Sequence, residues 1–252
     1  MNSTLAEQAD ALRALHVPGR PLVLPNAWDA QTARLVDEAD FAAVATSSAA
    51  VAHSLGFEDG GVMPPDDAFA AVARIARATS LPVTADIEDG YGLAPAELVE
   101  RLLDAGAVGC NLEDSSHGGP DPLVAPERQA ERLAAVKDAA RAAGVDIVLN
   151  ARVDVHVRRF GAEESRAEEA LRRARLYAAA GADCVYPIMA FDEPTIRDLV
   201  ARAGAPVNVL ARVNVDSLPR LAELGVARIS FGSGLATAAA EHLRGLLAGL
   251  RL

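Results

Sequence analysis

Three carboxylates follow two neighbouring strand-like runs, and their spacing points most directly to chemistry. Asp86 and Glu88 come at the end of the run PVTAD, and Glu113 ends the run VGCNLE. Residues at i and i+2 of an extended segment face the same side, so we expect Asp86 and Glu88 to converge. Crowded carboxylates repel one another unless a cation lies among them, and Mg²⁺ accepts one or two carboxylates while keeping several waters. The pattern predicts a magnesium site, with helix caps and solvated loop acids as the alternative interpretation.

An arginine and a run of small residues end two more strand-like segments. Arg152 closes the run IVLNAR, where its guanidinium suits a substrate carboxylate or a developing oxyanion. A salt bridge to Asp154 is the alternative interpretation. The run AAVAT leads into Ser47, Ser48 and Ala49, whose small side chains let backbone N–H groups approach an anion. Because the net charge is −11, an anionic ligand needs a local cation of this kind, either an arginine or a metal.

Eight short apolar runs, most of them followed by a helix-like segment, would position these residues. They are rich in Val, Leu and Ile without strict alternation, as expected for parallel strands buried on both faces. Strand and helix alternating eight times predict a single (β/α)₈ TIM-type barrel over residues 1–252, with an open doubly wound sheet as the alternative. An extra helix from Thr4 to His16 precedes the first strand and is expected at the bottom of the barrel. The runs are PLVLP, AAVAT, PVTAD, VGCNLE, IVLNAR, DCVYP, PVNVLA and RISFG.

Composition argues against several other classes of protein. The chain has 252 residues, 51% of them hydrophobic, which is enough for one large core. The negative charge argues against nucleic-acid binding. We expect no membrane association and no secretion, because no apolar run could span a bilayer and the start is polar and helix-like. The two cysteines, Cys110 and Cys184, lie in apolar runs, which predicts buried thiols in a cytoplasmic protein.

Together these motifs resemble the isocitrate lyase/phosphoenolpyruvate mutase superfamily over nearly the whole chain. The most specific match is DIEDGYG at residues 86–92, which is similar to the family's D-x-[DE]-x-G-[YF]-G metal segment. Four shorter segments give further matches: PNAWD at 25–29, SSA at 47–49, LED at 112–114 and NAR at 150–152.

The resemblance implies a role for each matching residue. Asp86 would bind Mg²⁺ (or Mn²⁺ in its place) most directly and also face the substrate, while Glu88 and Glu113 would hold waters of the metal. Asp59 would orient another such water, and Arg152 would contact the substrate oxygens. The remaining substrate contacts would come from Ser47, from the backbone of Ser48 and Ala49, and from Asn208.

The segment after Glu113 departs from the lyases of the family. The isocitrate and methylisocitrate lyases carry a Lys-x-Cys-Gly-His lid there, whereas this chain reads DSSHGGPDP over residues 114–122, without Lys or Cys. Thr237 stands where their distal-carboxylate arginine is expected. We therefore assign neither lyase activity. His117 could serve as a general acid if this segment closes over the site, with a solvated loop histidine as the alternative.

The leading prediction is an Mg²⁺-dependent enzyme that cleaves a carbon–carbon bond of a small 2-oxo (di)carboxylate through an enolate. Its candidate catalytic residues are Arg152, Asp59, Glu113 and His117. A 2-oxo acid-binding protein with little catalysis is one alternative. An enzyme for a P–C bond or a phosphorylated substrate is another, in which residues 232–234, Gly-Ser-Gly, bind phosphate rather than form a tight turn. Since family members often form tetramers, we expect a homo-oligomer.

Overall fold

Short parallel strands alternate with helices along the chain in this computed structural model, which describes residues 3–118 and 121–250. Each of the eight apolar runs contains a strand, so their assignment from sequence is confirmed. A further short strand follows the first run directly, separated from it by Pro25, whose nitrogen has no hydrogen to donate to a neighbouring strand. The strands are β1 Leu22–Leu24, β2 Asn26–Ala27, β3 Val44–Thr46, β4 Val83–Asp86, β5 Gly109–Glu113, β6 Val148–Val153, β7 Cys184–Pro187, β8 Asn208–Leu210 and β9 Arg228–Ser230.

The strands close into a barrel. β2 to β7 pair in sequence order, and β1, β9 and β8 form a second parallel ladder in that order. Only Pro25 separates β1 from β2, so this segment joins the two ladders on one side, and a parallel bridge between Val185 and Val207 joins them on the other. The result is the expected (β/α)₈ barrel, and the open sheet is wrong because an open sheet would leave two edge strands unpaired.

The helices cover the outside of the barrel. Ala9 and Leu12 of the first helix pack with Leu22, Val108 and Val148, which lie at the N-terminal ends of three strands. The extra N-terminal helix therefore closes the bottom of the barrel, as expected. The helices are α1 Leu5–Ala14, α2 Ala30–Glu38, α3 Ser48–Leu55, α4 Pro65–Ala76, α5 Pro95–Asp104, α6 Pro126–Ala142, α7 Arg166–Ala179, α8 Glu193–Arg202, α9 Leu218–Glu223 and α10 Gly234–Gly249.

The larger core fills the space between the strands and the surrounding helices. Cys110 and Cys184 are fully buried and free, as the sequence predicted. Across residues 3–118 and 121–250, none of the helices combines the length and the apolar character needed to cross a membrane. The loops at the C-terminal ends of the strands surround an open cavity, and six of the predicted site residues line it.

Candidate active site

A cavity of about 550 Å³ opens at the C-terminal ends of the strands. Six of the predicted residues line it, so residues far apart in sequence meet at one place. They come from the ends of β3, β4 and β6 and from the loop that precedes α4. The six are Ser47, Ser48, Ala49, Asp59, Asp86 and Arg152.

Asp86 is held at the cavity floor by the neighbouring strand. Its backbone N–H donates to Thr46 Oγ1 at 2.9 Å, and its Oδ2 accepts from Ser48 Oγ at 2.9 Å and from Ser48 N–H at 3.2 Å. Ser47 caps α3, and Ala49 lies in the first turn, where the helix offers its N–H no acceptor. Ser48 therefore positions Asp86, while the start of α3 presents a backbone donor to an anion in the cavity.

A smaller cavity of about 160 Å³ adjoins the first and shares Asp59 and Arg152 with it. Glu88, Glu113 and His117 line this second space. The predicted carboxylates therefore divide between two neighbouring cavities, with Asp86 lining the larger one and Glu88 and Glu113 lining the smaller.

Glu88 reaches its place through a turn. β4 ends at Asp86, and the backbone φ of Glu88 is +49°, so the expected strand alternation of Asp86 and Glu88 is wrong. Gly61 N–H donates to Glu88 Oε2 from the loop between α3 and α4. Burial, with a further contribution from Asp59, raises the pKa of Glu88 to about 7.

His117 and Glu113 form a pair beneath that loop. His117 Nε2 lies 2.8 Å from Glu113 Oε1, and Arg158 NH2 lies 3.2 Å from His117 Nδ1. The hydrogen bond to Glu113 raises the pKa of His117, while burial raises the pKa of Glu113 against the effect of Arg152. His117 is only 14% exposed, and Gly61 packs on its ring, so the solvated-loop interpretation does not describe it.

Arg152 forms ion pairs with two carboxylates. The sequence suggested one of these pairs, with Asp154, only as an alternative interpretation. Its Nε and NH2 donate to the two oxygens of Asp154 at 2.7 and 2.9 Å, and NH1 lies 2.7 Å from Glu113 Oε2. Asp154 is fixed in turn by Asp114, whose Oδ1 accepts from the backbone N–H of Asp154 at 2.8 Å. The carboxylates of Glu113 and Asp154 outweigh the opposing effect of burial and hold the pKa of Arg152 well above its ordinary value.

Sequence reasoning missed the buried support beneath Asp114. Asp114 Oδ2 accepts from Arg173 NH1 at 2.9 Å and from Tyr177 Oη at 2.7 Å. Arg173 and Tyr177 are four residues apart on α7 and share one face of that helix. The sequence did contain one indication of this contact. An arginine and a tyrosine four residues apart lie on a helix face that also carries buried alanines.

The acidic groups fit a cation that keeps most of its own water. Within the described residues, Asp86 Oδ1 and Glu88 Oε1 are buried and accept no hydrogen bond. The same residues contain no cluster of three or more His, Cys, Asp or Glu side chains arranged as direct ligands. Mg²⁺ bound through a single carboxylate and waters suits both facts, because it needs few protein ligands. Asp86 would be the direct ligand, and Glu88 and Glu113 would hold the outer waters.

Other predicted residues lie at the edges of the site. Asn208 is fully buried and donates to Ser230 Oγ at 3.2 Å, and Ser230 rather than Asn208 lines the cavity. Gly232 has a φ of +52° and α10 begins at Gly234, which matches a tight turn, the alternative to a phosphate-binding loop. Thr237, on the first turns of α10, also lines the cavity.

Comparison with known proteins places this barrel among related enzymes. The family model for phosphoenolpyruvate phosphomutase matches residues 12–251. A crystal structure from Burkholderia cenocepacia J2315, named "putative phosphonomutase", is 42% identical with a TM-score of 0.90, covering 96% of this chain and 99% of that one. The probable 2-methylisocitrate lyase 2 of Corynebacterium glutamicum is 32% identical over 188 residues, which are 71% of this chain and 59% of the lyase.

Two further solved structures of similar fold contain oxalate. Oxaloacetate acetylhydrolase with its product oxalate is 25% identical with a TM-score of 0.85, covering 98% of this chain and 87% of that one. Phosphonopyruvate hydrolase with oxalate and Mg²⁺ is 25% identical with a TM-score of 0.84, covering 97% and 87%. The resemblance seen in the sequence motifs is confirmed: this chain belongs to the phosphoenolpyruvate phosphomutase family, within the isocitrate lyase/phosphoenolpyruvate mutase superfamily.

Proposed function

We propose that this protein is an Mg²⁺-dependent enzyme that cleaves a carbon–carbon bond of a small 2-oxo (di)carboxylate. The observation that carries the proposal is the cavity at the strand ends. It brings together the N-terminal turn of α3, the buried unpaired oxygen of Asp86 and the guanidinium of Arg152. A 2-oxo acid carries two adjacent groups of oxygens, and this arrangement offers a separate partner to each.

The residues of the chain divide the work of binding and charge stabilisation. The Ala49 N–H and the Ser47 hydroxyl hold the 1-carboxylate of the substrate. When a 2-oxo acid loses the group beyond C3, negative charge grows on the keto oxygen, and Arg152 can donate to it because its orientation is already fixed by Asp154 and Glu113. Mg²⁺, when bound, supplies further positive charge next to the same substrate oxygens.

His117 is the candidate proton donor for the carbanion that cleavage leaves at C3. Arg158 only donates hydrogen bonds, so its approach to Nδ1 leaves the proton of His117 on Nε2, toward Glu113. The hydrogen bond to Glu113 raises the pKa of His117. Asp59, exposed on the rim of both cavities, would orient water at the mouth.

The known relatives support the class of substrate. The oxalate bound in oxaloacetate acetylhydrolase and in phosphonopyruvate hydrolase is a small dicarboxylate with two adjacent carboxyl groups, close in shape to the end of a 2-oxo acid. This chain lacks Lys and Cys between Glu113 and the start of α6, so we do not propose methylisocitrate cleavage.

The test is turnover of a panel of 2-oxo acids by the purified protein. We expect oxaloacetate or another 2-oxo dicarboxylate to be cleaved with Mg²⁺ or Mn²⁺ present, and the activity to disappear with a chelator. The Asp86→Asn variant, which keeps the shape of the side chain, serves as the control against a contaminating enzyme. A wild-type rate at background across the panel would refute the catalytic proposal, and binding without turnover would favour a binding protein.

A phosphonate is the second candidate substrate. The start of α10 lines the same cavity through Gly234, Thr237 and Ala238. The crystal structure that is 42% identical is named for a phosphonomutase, and phosphonopyruvate hydrolase has the same fold. Including phosphonopyruvate in the panel separates the two. Hydrolysis of its P–C bond gives pyruvate and inorganic phosphate, and rearrangement moves the phosphoryl group from carbon to oxygen, whereas cleavage of a carbon–carbon bond in a 2-oxo dicarboxylate involves no phosphorus.

A further inference from the structure

The side chain of Arg228 crosses the interior of the barrel beneath the cavity. Arg228 begins β9, the eighth barrel strand, and is 0% exposed. Its NH2 donates to Asn111 Oδ1 at 3.0 Å, and Asn111 lies on β5, the fourth barrel strand, on the opposite wall. Nε and NH1 of Arg228 have no hydrogen-bond partner among the described residues. Among the described residues, Asn111 is therefore the one side chain to which Arg228 donates a hydrogen bond.

This contact fixes which way the amide of Asn111 points. Arg228 can only donate, so the Asn111 atom that faces it must be the oxygen. The same oxygen also accepts from Asn150 Nδ2 at 2.8 Å. Because Oδ1 accepts from both Arg228 and Asn150, the Asn111 Nδ2 group must point away from Arg228.

Asn111 lines the large cavity, next to the proposed metal ligand. It is the direct register partner of Asp86 on the adjacent strand. Among the described residues, Asn111 Nδ2 donates no hydrogen bond. It is also absent from the polar atoms that are both buried and without a partner, so it is accessible from the cavity. An amide with two N–H donors therefore faces the cavity floor beside Asp86.

We propose that Asn111 Nδ2 donates a hydrogen bond to an oxygen of the bound 2-oxo acid, and that Arg228 is a positioning residue that holds Asn111 in this orientation. The inference rests on the proposed function of the cavity and extends it to two residues on opposite walls of the barrel. It also gives a reason for a fully buried arginine inside the barrel.

Stability alone does not account for Arg228. A buried arginine without a carboxylate partner carries a desolvation cost, and replacing buried charged groups by apolar residues of similar volume is often neutral or stabilising. Burial accordingly lowers the pKa of Arg228. A purely structural role predicts that an apolar replacement changes neither binding nor turnover, whereas a positioning role predicts a loss of both in a protein that folds normally.

The test is a double-mutant cycle with oxalate and Mg²⁺ as the probe. The variants are Asn111→Leu, which keeps the side-chain shape without a donor, Arg228→Met, and the two combined. Dissociation constants for oxalate come from calorimetry at saturating Mg²⁺, and melting temperatures report folding. Arg172→Met is the matched control, because Arg172 is half exposed on the outer surface of α7.

We expect Asn111→Leu to weaken oxalate binding about tenfold or more, since a hydrogen bond to a charged oxygen is lost. Arg228→Met should weaken it several-fold at an unchanged or higher melting temperature, and its effect should fall to less than twofold when Asn111 is already leucine. Arg172→Met should bind oxalate like the wild type.

Three outcomes would overturn the inference. Wild-type affinity in Asn111→Leu would remove Asn111 from the substrate contacts. A loss in Arg228→Met that is fully retained in the double variant would show that Arg228 does not act through Asn111. If the wild-type protein neither binds oxalate nor converts any 2-oxo acid, the proposed function is refuted, and this inference is refuted with it.

Discussion

Arg152 is the side chain whose surroundings are most closely defined. Asp154 and Glu113 fix its plane and leave the rest of the guanidinium facing the cavity. A lysine has one charged nitrogen and cannot keep both contacts and also donate to the substrate. We expect Arg152→Lys to lower kcat/KM for the accepted 2-oxo acid by about 100- to 1,000-fold, the usual loss for one oxyanion donor.

Steady-state kinetics with Mg²⁺ measures this loss. Arg172→Lys on the outside of α7 is the matched control and should retain wild-type activity. A full-rate Arg152→Lys enzyme would mean that the guanidinium stabilises the fold and takes no part in the reaction.

His16 makes a residue-scale prediction about stability and pH. Burial, together with the nearby charge of Arg228, lowers its pKa from 6.5 to about 4. The unfolded chain therefore binds a proton on His16 below pH 6.5, whereas the folded protein binds it only below about pH 4. The free energy of unfolding therefore decreases as the pH is lowered from 6.5 to 4. At about 1.4 kcal/mol for each pH unit, the full loss is about 3 kcal/mol.

Urea unfolding at pH 7 and at pH 4.5 measures this dependence. His16→Asn should reduce the difference in unfolding free energy between the two pH values, and the same substitution at the exposed His53 is the matched control. An equal fall in stability for wild type and His16→Asn would contradict the prediction.

At the scale of elements, the turn after β4 sets the position of Glu88. Gly90 and Gly92 have φ values of +80° and +71°, where alanine costs about 1–2 kcal/mol. A Cβ at Gly90 would also lie 2.7 Å from Arg132 NH2 and 3.2 Å from Leu112 Cδ1, whereas a Cβ at Gly92 would meet nothing within 4 Å. We expect Gly90→Ala to lower the free energy of unfolding by at least ~1 kcal/mol more than Gly92→Ala.

Chemical denaturation of the two variants gives this comparison directly, and Gly92→Ala serves as the control for the backbone cost. Equal destabilisation would show that Arg132 moves aside freely. In that case the packing of α6 does not determine the conformation of the turn.

The strands and turns also show how much of the structure could be predicted from the sequence. Parallel strands covered on both faces leave continuous apolar runs, so all eight strands were predictable. The position of Asp86, Glu113 and Arg152 at the same end of the barrel was predictable too. Side-chain directions beyond the strand ends were not, because they depend on tertiary contacts. The left-handed turn at Glu88 and the inward rotation of Asn208 toward Ser230 are both of this kind.

Interactions across the barrel were beyond pattern reasoning for the same physical reason. Arg228 and Asn111 are separated by 117 residues, and neither spacing nor composition links them. The runs that contain them look alike in sequence because both are short apolar segments with two polar or charged residues. Only the closing of the barrel places the fourth and eighth strands face to face.

At the scale of the whole molecule, α10 presents an apolar face to solvent. Among its described side chains none is buried, and Leu243, Leu246 and Leu247 are each more than half exposed. Contiguous exposed leucines of this kind mark interaction surfaces. We expect the protein to self-associate through α10 and Leu246→Asp to shift it toward the monomer.

Sedimentation velocity over a range of protein concentrations measures this shift. Leu35→Asp is the matched control, because Leu35 on α2 is exposed to the same degree, 55% against 56%, but has no leucine cluster around it. A monomeric wild type, or an oligomer that Leu246→Asp leaves intact, would contradict the prediction.

The loop between α3 and α4 has a consequence for how the chain resists proteases. Residues 56–64 carry two consecutive glycines that rest on His117, and one of them donates to Glu88, so the loop is pinned by the candidate site itself. Glu58 on this loop is exposed, which makes it a cutting point for a glutamate-specific protease. We expect oxalate with Mg²⁺ to slow cleavage after Glu58, measured by mass spectrometry of the fragments, while the exposed Glu38 at the end of α2 is cut at an unchanged rate. The nick would then report, in a single digest, whether the cavity is filled.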